Sequence, residues 1–213
     1  MSIRVVRVTR HRRSSAKELR AVDQTCQPGA YLLEFTVWWH MTLQDPRWST
    51  AVHEAGHAVA ARALRRGVRS VSIEEGRETL GRVCHYPLRT FAPNIEVDGR
   101  VRWRIEQSIM ILMAGVEAER RVSDDADRVE AGGRTDFSRS LDLAMYVTEG
   151  EPEEASAYVR WLTLRVRNII LANEVWWSAV ESLARELLKR PTLSSKEANA
   201  AIQVGIDMVI VPM

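Results

Sequence analysis

The sequence has little cysteine, no long hydrophobic run and almost no excess charge, and each shortage excludes a class of protein. Two cysteines, Cys26 and Cys84, cannot build a disulfide framework or a cysteine-type zinc site. No stretch approaches the roughly 18 consecutive apolar residues that a membrane-spanning helix needs. A net charge of +2 is too close to neutral to indicate nucleic acid as a partner. These shortages favour a cytoplasmic protein without a membrane span.

One stretch, Ser49–Leu64, contains the pattern His-Glu-x-x-His inside an alanine-rich run that favours a helix. Residues at positions i and i+4 share one face of a helix, so His53 and His57 can direct two imidazoles to one metal ion. Glu54 lies one residue round from His53, close to such an ion. This is the spacing of a zinc metalloprotease helix, in which a carboxylate stands beside the water that the metal activates.

The alternative for this stretch is two histidines on an exposed helix face, because the bare pattern arises by chance in about one chain in a hundred of this length. Apolar neighbours such as Val52 and Val59 instead predict a buried face, and buried ionisable groups need partners. Gly56 costs a helix about 1 kcal/mol relative to alanine, which indicates close packing at that point. We therefore interpret the stretch as a metal-binding helix.

By composition the chain divides into three segments. Residues 1–45 are predicted to be an N-terminal extension, with Met41 as an alternative natural start. Residues 46–205 carry helical and strand patterns and are predicted to form one mainly α domain of the α+β class. Residues 206–213 form an apolar tail to which no role is assigned.

Helix and strand signals follow one another in a readable order within this domain. The motif helix is predicted to end with Gly67 as its cap, and a small β-hairpin follows. The polar, glycine-ended segment 123–133 is predicted to be a flexible loop. The predicted helices cover about 46–66, 101–122, 135–150, 152–172, 173–190 and 194–204, and the predicted strands cover 68–73 and 80–86.

A catalytic zinc ion usually has three protein ligands, so the motif helix must be completed from elsewhere in the chain. The longer pattern His-x-x-Gly-x-x-His is absent, because Ala60 and Ala63 stand at its glycine and histidine positions, and this excludes the metzincin class. His85, near the end of the second predicted strand, belongs to a position that is more often structural than metal-ligating.

Two carboxylates remain as candidates for the third ligand. Glu119 continues the core face of the helix over 101–122, whereas Glu117 is predicted to lie off that face. Asp136 is placed at the start of the following helix, where aspartate is also an ordinary N-cap. The residues alone leave Glu119 and Asp136 open.

The order of these motifs resembles the peptidase domain of the FtsH family, the M41 zinc peptidases, over residues 46–203. The matching motifs are His53-Glu54-Ala55-Gly56-His57-Ala58, Leu80-Gly81-Arg82, Ala114-Gly115 with Glu119, Gly132-Gly133 with Asp136, and the closing run through Asn173, Leu183-Ala184, Leu187-Leu188 and Arg190-x-Thr192-Leu193. The resemblance implies Zn²⁺ bound by His53, His57 and Asp136, with Glu54 as the catalytic base. It also implies that Glu119 supports the site from behind the ligands.

The chain departs from the family at two points. Arg120 stands where the family usually has a second glutamate, and no Gly-x-x-x-x-Gly-Lys-Ser/Thr motif for an ATPase occurs. We expect a zinc-dependent metalloendopeptidase that cleaves unfolded or flexible proteins without ATP, with an adaptor or a separate ATPase as a partner for other substrates. The oligomeric state stays open. The strand around Val71–Ile73 is expected to hold a peptide by edge pairing.

Two alternatives belong to other classes. In the first alternative, which the missing ATPase motivates, the chain is an inactive or weakly active zinc-binding regulatory module. In the second, the chain hydrolyses a non-peptide amide, although no residue of the sequence indicates such a substrate.

Overall fold

Helices dominate the part of the chain that the computed structural model describes, which is residues 45–74, 81–86, 93 and 97–210. All of these residues belong to one unit, Trp39–Met213. The predictions for most of the N-terminal extension, the hairpin tip and the last three residues lie outside the described residues. The elements, in chain order, are α1 (Trp48–Ala63), β1 (Val68–Ser72), β2 (Arg82–His85), α2 (Gly99–Val122), α3 (Ala126–Met145), α4 (Pro152–Val166), a π-helical turn (Arg167–Leu171), α5 (Glu174–Lys189), β3 (Thr192–Ser194) and α6 (Ser195–Ile210).

The prediction of a mainly α fold with a small β element is confirmed by this element list. The sheet is antiparallel with strand order β2-β1-β3, and Val71 of β1 lies opposite Val83 on one side and Leu193 on the other. Both edges of β1 are therefore paired, so the prediction that β1 receives a peptide by edge pairing is wrong. The short strand β3 was not predicted, because Pro191 reads as a break.

The motif helix α1 lies at the centre of the described unit, packed against α2, α5 and the sheet. An unbroken run from Ala51 to Ala61 is buried, as the apolar pattern predicts. The helix ends earlier than predicted, with Leu64 as its C-cap instead of Gly67. Arg65 has a φ of 58°, and the amide of Arg66 donates to Ala61 O at 2.7 Å, so the chain closes in a Schellman motif with arginine in the usual glycine position.

Helix α3 begins much earlier than predicted. Its N-cap is Asp125, whose carboxylate accepts a hydrogen bond from the amide of Arg128 at 2.9 Å. The prediction of a flexible loop over 123–133 is therefore wrong, and so is the placement of Asp136 at a helix start. A side chain at Gly133 would meet Val116 of α2 at 2.8 Å, so glycine at this position allows α3 and α2 to approach.

Glu117 also differs from prediction, because it is buried like Glu119, with 5% of each residue exposed. The π-helical turn explains this difference, since Arg167 covers Glu117 with an ion pair of 2.6 Å. That turn also replaces the end of the helix predicted over 152–172. Helix α6 continues to Ile210 and so includes the first part of the predicted tail. Among the helices described, none is both long and apolar enough to cross a membrane.

Candidate metal centre

Three side chains from two helices converge beside the middle of α1. His53 and His57 lie one turn apart on α1, and Asp136 reaches them from the middle of α3. His53 Nε2 is 3.0 Å from His57 Nε2 and 3.1 Å from Asp136 Oδ2, and His57 Nε2 is 3.3 Å from the same oxygen. One ligand atom from each residue lies within 4.8 Å of the other two, so the cluster can hold a metal ion.

The far nitrogens of the two imidazoles decide which atoms face the centre. His57 Nδ1 is 2.7 Å from Ile111 O, and a carbonyl oxygen only accepts, so this nitrogen carries a proton and donates. His53 Nδ1 donates in the same way to Glu119 Oε2 at 2.9 Å. Both Nε2 atoms are therefore left to share the centre with a carboxylate oxygen. Three electron-rich atoms at such distances repel unless a cation, either a proton or a metal ion, lies among them.

The charges of the cluster favour a cation. Burial lowers the pKa of His53, but hydrogen bonds with Asp136 and Glu119 outweigh it and raise this pKa to about 10. Burial raises the pKa of Asp136, but hydrogen bonds from His53 and His57 dominate and hold it well below its usual range. Without a metal the site therefore holds a proton at neutral pH, and a metal ion would displace it.

Glu119 lies behind His53 and not beside the three converging atoms. Its Oε1 accepts a hydrogen bond from Ser49 Oγ at 2.7 Å, and the guanidinium of Arg128 is 4.0 Å away. Burial acts to raise the pKa of Glu119, but the hydrogen bonds from His53 and Ser49 act more strongly in the opposite direction. The pKa is therefore lowered overall, and the carboxylate stays charged. The two candidates for the third ligand thus occupy different places: Asp136 faces the Nε2 atoms, and Glu119 faces only the Nδ1 atom of His53.

Glu54 is the remaining carboxylate at the centre. It is 6% exposed and lines the cleft that opens onto the two histidines. Burial raises its pKa, although the charges of His57 and His53 act in the opposite direction. Gly81, just before β2, packs against it so closely that a side chain there would meet Glu54 Oε1 at 2.5 Å. Glu54 is thus a buried carboxylate of increased basicity at the floor of an open cleft.

Two further glycines allow the helices around the centre to approach. A side chain at Gly56 of α1 would meet Ala114 O of α2 at 2.7 Å, so the close packing expected at Gly56 is present. A side chain at Gly115 of α2 would collide with the imidazole ring of His57. The Ala-Gly pair in α2 therefore makes room for one of the converging histidines.

The cleft has a volume of about 1510 Å³ and is lined by residues of α1, α2, α3 and the sheet. Arg82, part of a motif already noted in the sequence, lines it, together with three residues that the sequence did not single out, Arg69, Arg128 and Arg139. His85 lines it too: its Nδ1 is buried with no hydrogen-bond partner among the described residues, and burial lowers its pKa to about 4. Arg139 follows Asp136 by one turn within the helix predicted over 135–150, whereas only the earlier start of α3 reveals that Arg128 shares this register.

Comparisons with known proteins add no relative: no protein-family model matches this chain, and a search of curated proteins finds no match. The resemblance to the FtsH peptidases thus stays a prediction. The chemistry of the centre is inferred from its own residues.

Proposed function

We propose that this protein is a zinc-dependent metalloendopeptidase of the FtsH peptidase type that hydrolyses peptide bonds of unfolded or flexible proteins without ATP. The observation that carries the proposal is the convergence of His53, His57 and Asp136 at the floor of an open cleft, with Glu54 beside them. A metal site that served only the fold would have no need of a buried, basic carboxylate facing the cleft.

Zinc suits this donor set. Two imidazole nitrogens and one carboxylate oxygen are borderline ligands, and three protein ligands leave the open position that catalytic zinc sites keep. Both histidines donate their other ring N–H to an oxygen, at 2.7 Å for His57 and 2.9 Å for His53, as zinc-ligating histidines commonly do. The Glu119 carboxylate behind His53 makes the Nε2 atom of that imidazole a stronger ligand for a metal ion.

When bound, zinc would supply Lewis acidity, which acidifies a water molecule and polarises the carbonyl of the scissile bond. Glu54 then acts as the general base: it takes the proton of the attacking water and returns it to the leaving amine nitrogen. Its raised pKa suits both steps, because a more basic carboxylate accepts the proton more readily and is still acidic enough to release it. Asp136 and Glu119 contribute charge and orientation and move no proton.

The substrate would bind along β2 and not along β1. Within the described residues, β2 is an edge strand whose outer side has no strand partner, and its residues Arg82 to His85 line the cleft. An extended peptide can add a strand to such an edge through main-chain hydrogen bonds. Because only an extended chain can bind in this way, unfolded or flexible proteins are the expected substrates, and a folded substrate would need an adaptor or a separate ATPase.

Metal content and cleavage together test the proposal. We expect the purified wild-type protein to hold one zinc ion per chain by mass spectrometry and to cleave casein, a loosely folded protein. Asp136→Ala should lose both properties, whereas Glu54→Gln should keep the zinc and lose cleavage. Wild-type cleavage by Glu54→Gln with zinc bound would refute the mechanism. Full zinc occupancy without cleavage, together with a stable protein partner in a pull-down, would instead support the regulatory module.

A further inference from the structure

Arginine is the prevailing charged residue on the walls of the cleft. Among the described residues, four arginines line it, namely Arg69 and Arg82 from the sheet and Arg128 and Arg139 from α3. The carboxylates of this part of the chain that line it are Glu54, Glu119 and Asp136, and all three belong to the metal centre. A bound divalent cation would add two further positive charges. The cleft therefore presents a positive field to whatever enters it.

Three of these arginines have no carboxylate of the described residues to neutralise them. Arg128 is the exception, because its Nε lies 4.0 Å from Glu119 Oε1. Arg69, Arg82 and Arg139 are exposed, and no carboxylate in the described part of the chain lies at ion-pair distance from them. These three guanidinium groups line the cleft without a carboxylate partner among the described residues, so a carboxylate of a bound peptide could pair with them.

Their positions bring them close to the reacting bond. Arg82 directly follows Gly81, the residue that packs against Glu54. Arg139 lies one helical turn after Asp136, and Arg128 lies about two turns before it on the same face of α3. At 1.5 Å per residue, Arg128 and Arg139 are about 16 Å apart along α3, one on each side of Asp136. Guanidinium groups from β2 and from α3 therefore flank the centre at which the scissile bond would lie.

We infer that the cleft selects peptides that carry aspartate or glutamate within about three residues of the scissile bond. This rests on the proposed peptidase function and names its substrate class. A guanidinium group pairs with a carboxylate through two parallel hydrogen bonds, so the preference has a geometric basis as well as a charge. A basic side chain at the same positions would meet like charge and be disfavoured.

Matched peptides test the preference. Short fluorogenic peptides would be built around the bond that the protein cuts fastest in casein, differing only by Glu or Gln at one flanking position. We expect kcat/KM to be about two- to fivefold higher for the glutamate peptide at low salt, the size of an exposed ion pair. The ratio should shrink as salt rises, because salt screens exposed charges. Equal rates for every pair would overturn the inference and leave the proposed function intact.

Variants assign the preference to the arginines. In Arg139→Gln and Arg82→Gln the ratio for the nearest flanking position should fall towards one. Arg134→Gln is the matched control, because Arg134 is also exposed on α3 but does not line the cleft, and its ratio should equal that of the wild type. A preference for acidic peptides that survives in both cleft variants would overturn the inference.

Binding provides a second readout that does not depend on turnover. The Glu54→Gln variant, with and without zinc, is mixed with labelled Glu and Gln versions of one unstructured casein segment, and fluorescence anisotropy gives the two dissociation constants. Tighter binding of the Glu version, with a smaller difference in Arg139→Gln, supports the preference for acidic peptides whether or not the protein cleaves them, so the two failures can be told apart. Equal binding of both versions would overturn the inference.

Discussion

Each imidazole of the candidate metal centre is held by its ring nitrogen that faces away from the centre. His57 donates to a backbone carbonyl, Ile111 O, which substitution cannot remove, whereas His53 donates to the side chain of Glu119. Glu119 is in turn held by Ser49. The orientation of His53 therefore depends on side chains that can be changed one at a time.

Replacing Glu119 is expected to weaken zinc binding without removing a ligand. Glu119→Gln keeps the shape but loses the charge that strengthens His53 as a donor, so zinc affinity should fall about 10- to 100-fold. Competition with a chromophoric chelator measures the affinity. Glu117→Gln is the control, because Glu117 is equally buried on α2 but pairs with Arg167, and its zinc affinity should equal that of the wild type. Equal affinities for both variants would contradict the role assigned to Glu119.

Replacing Gly115 and Gly132, two glycines near the centre, with alanine should have different effects on zinc binding. Gly115→Ala places a methyl group against the ring of His57, so we expect loss of zinc and of cleavage. At the exposed Gly132 of α3 a methyl group meets only Glu119 Oε2 at 3.6 Å, an ordinary contact. Gly132→Ala should therefore retain zinc. Its free energy of unfolding should rise by up to about 1 kcal/mol, because alanine favours a helix more than glycine does. Zinc content and denaturant unfolding distinguish the two.

Zinc binding should release a proton, and its pH dependence follows from His53. The pKa of about 10 in the metal-free site means that His53 is protonated throughout the neutral range, and zinc must displace that proton. Affinity should rise about tenfold per pH unit between pH 6 and 8, and calorimetry in buffers of different ionisation enthalpy should show about one proton released per zinc. An affinity independent of pH would contradict the proposed ligand arrangement.

At the scale of elements, the site depends on where helices start and end. Helix α3 begins at Ala126, and Asp136 therefore lies in the middle of the helix. From this position its side chain reaches the two histidines. Helix α6, which packs on α5 and accepts hydrogen bonds from Arg62 of α1 through Asn199 and Gln203, begins with a capping box. The amide and hydroxyl of Ser194 both donate to Glu197 Oε2, at 2.9 and 2.7 Å.

This capping box predicts a pH-dependent contribution to stability. The hydroxyl and amide of Ser194, with Arg190, lower the pKa of Glu197 to about 2 from the ordinary 4.5. A lowered pKa means that the stabilisation is complete above pH 4.5 and is lost as the pH falls towards 2. Glu197→Gln should unfold at a lower temperature than the wild type at pH 7, and the gap should close on acidification. Glu130→Gln, exposed on α3, is the control that should unfold like the wild type at both pH values.

At the scale of the whole molecule, the centre joins α1 to α3, which otherwise contact each other mainly through α2. A ligand that binds only the folded state stabilises it in proportion to its occupancy. The metal is therefore expected to contribute to the fold as well as to the chemistry.

Removal of the metal should accordingly lower the unfolding temperature. At a zinc concentration 100 times the dissociation constant the stabilisation is about 2.7 kcal/mol, and EDTA should remove it. Asp136→Ala, which lacks one ligand, should unfold at the same temperature with and without EDTA. Differential scanning calorimetry checks both. An EDTA effect on Asp136→Ala as large as on the wild type would place the metal elsewhere.

The sequence by itself determined the elements whose signals are local. The buried α1 with His53 and His57 on one face, the hairpin after it and the predominance of helix follow from helical spacing, alternation and turn residues. Local signals failed where packing overrides propensity. Polar residues and a glycine pair predicted a loop before Asp136, yet α2 holds that segment as helix because glycine lets the two backbones approach.

Only the tertiary structure decided the relations between distant residues. It separated Asp136 from Glu119, which periodicity had left equivalent, by placing one at the Nε2 atoms and the other behind His53. It buried Glu117 under Arg167, gave β1 a second partner and grouped arginines from the sheet and from α3 around one cleft. Such contacts join residues far apart in the chain. They depend on how the helices pack, which the local spacing of residues does not specify.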